Sequence, residues 1–258
     1  MKSDVEPKSV FPLLVYFHGG GFITGSIEEN DFRLQMLCVE HQISILNVDY
    51  RLAPEYPFPV PMDDCMAAMK WAIANPSLLS TDVRKGLIVM GTSAGAQLAT
   101  VTALRARDDG FFAEARLTGQ ILQIPMTCHP DAYPEKYSDQ LLSLQQNANA
   151  PKLTAREVRF AWKLLKGPPS DLYTSPLLAP LHRLPPTFLQ VTGLDPLRDD
   201  GLVYERLLRE AGVKTMLQIY PGVPHTFEIT YPEIAAAKKY KEDLDEGLRW
   251  VLRNREQP

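Results

Sequence analysis

Short apolar runs recur along the chain, and each is followed by a stretch of helical character. The runs cover residues 13–17, 44–48, 87–90, 120–124, 187–191 and 215–219. They lack the polar alternation of a half-exposed strand, which is the pattern of a parallel sheet covered on both faces. Residues 62–74, 94–107 and 200–211 read as crossover helices, the last stopped by Gly212. Residues 232–253 read as an amphipathic helix lying over the sheet. Strand alternating with helix predicts an α/β fold on a doubly wound, mostly parallel sheet of about six strands.

Residues 126–180 break this rhythm, being polar and rich in proline. They hold one good helical stretch, 154–165, opened by the capping-box pattern Thr154-Ala155-Arg156-Glu157. The segment is far longer than an ordinary connection, so it is either a functional lid or a linker. Phe160, Trp162, Leu164 and Leu165 give its helix an apolar side, which favours a packed lid inserted in a single domain spanning 1–258.

Composition narrows the partners. The 258 residues are 45% hydrophobic and 22% charged, enough for one sizeable core. A formal net charge of -4 leaves no basic stripe for nucleic acid. Cys38, Cys65 and Cys128 are scattered, odd in number and without C-x-x-C spacing, so they read as free thiols rather than as a disulfide or zinc framework. The start, Met1 to Pro7, has no signal-peptide core, and no later run approaches a membrane span. A soluble, cytoplasmic protein is the expectation.

The chemistry begins at Gly91-Thr92-Ser93-Ala94-Gly95, a G-x-S-x-G pattern between a strand and a helix-forming segment. Alone the pentapeptide is weak, because a glycine-flanked serine in a turn is commonplace. Strand before and helix after are the context of a nucleophile elbow, where a sharp turn lifts the serine above the sheet. A serine hydroxyl needs a base, and the base an orienting acid. In this sheet class they follow at later strand ends in the order serine, acid, histidine. Asp195 follows the run 187–191, and His225 follows the run 215–219. Asp199 and Asp200 suit capping of the helix that begins beside them, and Glu228 lies beyond the base. His41, His129 and His182 fall before a strand, in the insertion and in a loop, and read as packing or surface residues.

Acyl transfer also places negative charge on the former carbonyl oxygen. Preorganised N–H donors stabilise it, each worth roughly 3 to 4 kcal/mol where measured by mutation. His18-Gly19-Gly20-Gly21 directly follows the first apolar run, where an HGGG-type loop would supply such donors beside the N–H of Ala94. No G-x-G-x-x-G or G-K-[ST] continues from it as a phosphate loop would require.

Five stretches together resemble the hormone-sensitive-lipase-like esterases of the α/β-hydrolase fold. They are His18-Gly19-Gly20-Gly21-Phe22, Asp49-Tyr50-Arg51-Leu52-Ala53-Pro54-Glu55 with Pro57-Phe58-Pro59, Gly91-Thr92-Ser93-Ala94-Gly95, Asp195-Pro196-Leu197-Arg198-Asp199-Asp200, and Pro224-His225-Thr226-Phe227. The resemblance implies a carboxylic-ester hydrolase, with Ser93, Asp195 and His225 as the triad, and Gly19, Gly20 and Ala94 as oxyanion donors. It implies short acyl esters as small-molecule substrates, no metal or organic cofactor, and a bracing role for 50–59. A lactone, an amide or a biosynthetic intermediate is the alternative substrate. A ligand-binding relative without turnover is the alternative class, which the presence of His225 opposes.

Two departures stand out. Thr92 and Ala96 replace the family's common aspartate and glycine. Only about a dozen residues precede the glycine-loop strand, where the family carries two further strands and part of its lid. The sheet is then expected without those strands. The pocket is then unusually open, or a partner chain such as the second copy of a homodimer covers it, or the chain is a shortened form.

Overall fold

A computed structural model of the chain describes residues 9–255; the stretch 1–7 read above for a leader lies outside them. Six strands form one sheet in the order β2-β1-β3-β4-β5-β6: β1 (Leu13–Phe17), β2 (Ser44–Val48), β3 (Leu87–Thr92), β4 (Gly119–Gln123), β5 (Thr187–Thr192) and β6 (Thr215–Tyr220). Every pairing is parallel. The long helices are α1 (Asp31–His41), α2 (Val60–Ala74), α4 (Ala94–Asp108), α6 (Ala155–Leu165), α7 (Arg198–Glu210) and α9 (Ala235–Arg253). Single-turn helices α3 (Pro76–Leu79), α5 (Ser143–Gln146) and α8 (Phe227–Thr230) complete the set.

Successive side chains along a strand point to opposite faces, so the apolar runs feed two cores. Leu13, Val15, Leu87, Val89, Leu122 and Leu189 pack with α2, α4 and α7. Leu14, Tyr16, Ile88, Met90, Ile121 and Phe188 meet α1 and α9. Every position of β1, β3, β4 and β5 is buried, whereas the edge strands β2 and β6 are mostly half-buried. A strand covered on both faces has no reason to alternate, hence the continuous runs.

Residues 126–180 connect β4 to β5 and carry α5 and α6. The capping box forms: Thr154 Oγ1 accepts from the Glu157 N–H at 3.2 Å, and Glu157 Oε2 accepts from the Thr154 N–H at 2.8 Å. The buried side of α6 is Val158, Ala161, Trp162 and Leu165. Phe160 is 51% exposed, because the i, i+3, i+4, i+7 stripe passes it by. The three cysteines are free, and burial pushes the Cys128 thiol up to about 12.

Candidate active site

Ser93 stands between β3 and α4 with φ 57° and ψ -117°. Close packing imposes the turn: a Cβ on Gly91 would lie 2.1 Å from the Gly95 carbonyl oxygen, and one on Gly95 2.1 Å from that of Phe17. Because all strands run the same way, the loops after β3, β5 and β6 open at one end of the sheet. Asp195 follows β5, and His225 follows β6. His225 Nε2 lies 2.9 Å from Ser93 Oγ, and Nδ1 lies 2.6 Å from Asp195 Oδ2. A carboxylate only accepts, so Nδ1 carries the hydrogen and Nε2 is left to accept from the serine hydroxyl.

Asp195 is held on both oxygens. The Thr192 hydroxyl donates to Oδ2 at 3.1 Å, and the Leu197 N–H donates to Oδ1 at 2.8 Å. The Asn147 amide, from beyond α5, donates to the backbone oxygen of Asp195 at 2.9 Å. Ser93, Asp195 and His225 are all buried.

The glycine loop leans on Ser93. A Cβ on Gly19 would lie 3.2 Å from the Thr92 carbonyl oxygen and 3.7 Å from Ser93 Cβ. Gly20 has φ +110°, and a Cβ there would lie 2.1 Å from the Thr24 carbonyl oxygen. Ala94 is the first residue of α4, where an N–H has no carbonyl four residues back. Residues 50–59 hold the loop from behind. The Tyr50 hydroxyl donates to the His18 carbonyl at 2.8 Å, and its ring stacks on His18 at 4.2 Å. The Ala53 N–H donates to the Phe22 carbonyl at 2.9 Å. The Phe58 N–H reaches the Leu165 carbonyl at the end of α6 at 2.7 Å.

Comparison with known proteins settles the lineage, since a family profile described as alpha/beta hydrolase fold matches residues 14–229. The chain belongs to the alpha/beta-hydrolase family. A versiconal hemiacetal acetate esterase of Dothistroma septosporum is 36% identical, over 93% of this chain and 74% of that protein. The crystal structure of a vibralactone cyclase superposes with a TM-score of 0.95 at 40% identity, covering 99% of this chain and 75% of that one. EstE1, a thermostable carboxylesterase cloned from a metagenomic library, superposes with a TM-score of 0.85 at 30% identity, covering 98% and 83%.

Other residues of this hydrolase weighed as base or acid lie elsewhere. His41 Nε2 pairs with Asp245 at 2.9 Å, between α1 and α9. His129 packs 5.3 Å from the Trp162 ring, and burial lowers its pKa. The His182 carbonyl accepts from Arg107 on the loop before β5. Glu228 sits on α8 with Oε2 buried and without a hydrogen-bond partner, and burial raises its pKa.

Asp199 and Asp200 do not cap the helix they begin, contrary to the capping expected from their position. Asp199 Oδ2 accepts from the N–H groups of Leu142 and Ser143, at 2.8 and 2.6 Å, and so caps α5. Asp200 Oδ1 accepts from the Thr127 and Cys128 N–H groups, each at 3.0 Å, and Oδ2 accepts from the Tyr133 hydroxyl at 2.8 Å. Both carboxylates turn away from α7, where the Arg198 N–H donates to the Asp195 carbonyl at 3.1 Å and the Asp199 N–H to Ser143 Oγ at 3.0 Å, and tie down the insertion. Sequence reasoning also missed Thr192 and Asn147. Thr192 ends the strand three residues before Asp195 and gave a readable signal, whereas Asn147 is brought in only by tertiary packing.

No described helix is long and apolar enough to cross a membrane.

Proposed function

We propose that this carboxylic ester hydrolase works through Ser93 as nucleophile, His225 as general base and acid, and Asp195 as the group that orients and stabilises the imidazolium. The observation that carries the reading is His225 bonded at once to Ser93 Oγ at 2.9 Å and Asp195 Oδ2 at 2.6 Å. Ser93 Oγ attacks the ester carbonyl while its proton passes to His225 Nε2. The N–H groups of Gly19, Gly20 and Ala94 stabilise the oxyanion. Collapse expels the alcohol, which takes the proton from His225 and leaves an acyl-serine. Water attacks next through the same base, releasing the acid and restoring the hydroxyl. Residues 126–180 serve as the lid, and the chain falls in the hormone-sensitive-lipase-like branch with short acyl esters as substrates.

The 40% identity to a vibralactone cyclase favours a second reading of the same nucleophile. Here the acyl-serine of a hydroxy acid is resolved by its own hydroxyl, giving a lactone in place of a free acid. Ser93→Ala tests both readings: turnover of p-nitrophenyl esters from acetate upward is lost while the fold persists, and retention of most turnover overturns the mechanism. Product analysis with a hydroxyacyl ester separates hydrolysis from ring closure.

A further inference from the structure

Behind the site runs a buried line of polar side chains that the mechanism above does not use. The Tyr16 hydroxyl on β1 lies 3.2 Å from Thr92 Oγ1 at the end of β3. Thr92 Oγ1 donates to Gln123 Oε1 on β4 at 3.0 Å, and Gln123 Nε2 donates to Gln190 Oε1 on β5 at 2.8 Å. Gln190 Nε2 donates to the Tyr220 hydroxyl on β6 at 2.7 Å and to the Tyr240 carbonyl on α9 at 2.8 Å. The Tyr220 hydroxyl donates to Asp243 Oδ2 on α9 at 2.7 Å, and the half-exposed Lys239 holds Asp243 Oδ1 at 2.8 Å. Each member from Tyr16 to Asp243 is at most 8% exposed.

Asp243 sets the sense of the whole line. Its carboxylate only accepts, so Tyr220 spends its hydrogen there and must accept from Gln190. The Tyr240 carbonyl also only accepts, which turns the Gln190 amide nitrogen toward α9 and its oxygen toward Gln123. Gln123 therefore presents its own oxygen to Thr92. The single hydroxyl hydrogen of Thr92 goes to that oxygen, which leaves Tyr16 as donor to Thr92. Every bond points the same way, an arrangement in which each bond polarises the next. Burial holds the Tyr16 and Tyr220 phenols protonated, as the line requires.

Its members touch each strand end that carries the chemistry. Thr92 immediately precedes Ser93. Gln190 lies two residues before Thr192, which bonds Asp195. The Tyr220 carbonyl accepts from the N–H of Gly193 on the acid loop at 2.9 Å, and His225 follows Tyr220 by one short turn. We infer that the line Thr92-Gln123-Gln190-Tyr220-Asp243 is a positioning device that locks the ends of β3, β5 and β6 laterally and thereby sets the Ser93–His225–Asp195 geometry. The inference rests on the proposed roles of those three residues.

Thr92 and Tyr220 are separated by three strand spacings, about 14 Å, a distance at which independent substitutions add. The test is therefore a double-mutant cycle in kcat for p-nitrophenyl acetate, using Thr92→Val, Tyr220→Phe and the double variant. Misplacement of reacting groups by an ångström costs up to about a hundredfold. Expected are losses of about tenfold for Thr92→Val and about fivefold for Tyr220→Phe, with KM within about twofold, and about tenfold for the double variant. Thr92→Ser, which keeps the hydroxyl, retains kcat. Leu248→Ala, a cavity in the same α9 seam outside the line, lowers Tm yet retains kcat well below it. A double variant losing the product of the single losses, wild-type kcat in Tyr220→Phe, or an equal loss in Leu248→Ala overturns the positioning role. Ser93→Ala is measured alongside. Its inactivity together with an additive cycle removes the line alone, and its full activity removes the nucleophile assignment on which the line depends.

Discussion

Asp195→Asn is a sharp probe of the proposed base because the surroundings of Asp195 dictate how the new amide must sit. One carboxylate oxygen accepts from the Leu197 N–H at 2.8 Å, and the other from His225 Nδ1 at 2.6 Å. Asparagine has one oxygen for these two donors. If the oxygen stays on Leu197, the amide NH2 faces His225, whose Nδ1 must then accept. The hydrogen moves to Nε2, and the imidazole can no longer take the proton of Ser93. If the amide flips, the histidine keeps its tautomer but the buried Leu197 N–H meets another donor, at a cost of about 1–3 kcal/mol. The competent form is then a minority by about 5- to 150-fold. Even that form lacks the carboxylate charge that stabilises the imidazolium. Together these effects place the expected loss in kcat near 10³ to 10⁴, the upper end being the size of loss, about 10⁴, given by the same change in a serine-protease triad. The shape of the site survives, so Tm and KM are expected to move little. Steady-state kinetics on p-nitrophenyl acetate read the loss directly. A loss below about tenfold refutes the hydrogen placement on which the base assignment rests.

Further tests concern the supporting shell. Gly19→Ala puts a methyl group 3.2 Å from the Thr92 carbonyl without demanding a forbidden backbone angle. Expected is a correctly folded enzyme, by circular dichroism, whose kcat has dropped by about a hundredfold through a displaced oxyanion donor; unchanged kcat removes Gly19 from that role. Thr154→Ala opens the capping box of α6 and is expected to cost about 1 kcal/mol, read as a fall of a few degrees in Tm. No change in Tm discards the cap as a stabilising feature. Burial raises the Asp200 carboxyl to about 7, so the native state binds that proton more tightly than the unfolded chain does. Its contribution is fully present below about pH 4 and lost as the pH rises through about 7, at up to about 1.4 kcal/mol per pH unit. Relative to Asp200→Asn, wild-type Tm is expected to fall as the pH rises from 5 through about 7; a flat relative Tm over that range means that the three hydrogen bonds hold Asp200 ionised throughout.

The framework was legible because its signals are local. Runs such as 13–17 and 187–191 are continuous because both faces of the sheet are covered, and Gly91 and Gly95 mark a turn that admits no Cβ. Ser93, Asp195 and His225 each follow a strand, and a parallel sheet brings such positions to one end, so sequence order alone was enough to look for them together. Contacts made across the chain were not legible. Asp199 and Asp200 beside a helix start look like caps, and only the docked insertion reveals that they serve α5 and the backbone of Thr127 and Cys128. Phe160 looks like part of an apolar side until the helix is phased by Val158, Ala161 and Trp162. Gln123 and Gln190 were the strongest unread clue, being large amides inside otherwise apolar strands. Their pairing depends on strand register, which places them opposite one another.

Labelling with a fluorophosphonate, followed by peptide mass spectrometry, tests the nucleophile most directly, because this electrophile needs an activated serine and no particular substrate. A single adduct on the peptide carrying Ser93, absent in Ser93→Ala and strongly slowed in Asp195→Asn, is the expected result. No adduct in the wild-type protein, or one on another serine that survives in Ser93→Ala, contradicts the assignment of Ser93 as the nucleophile.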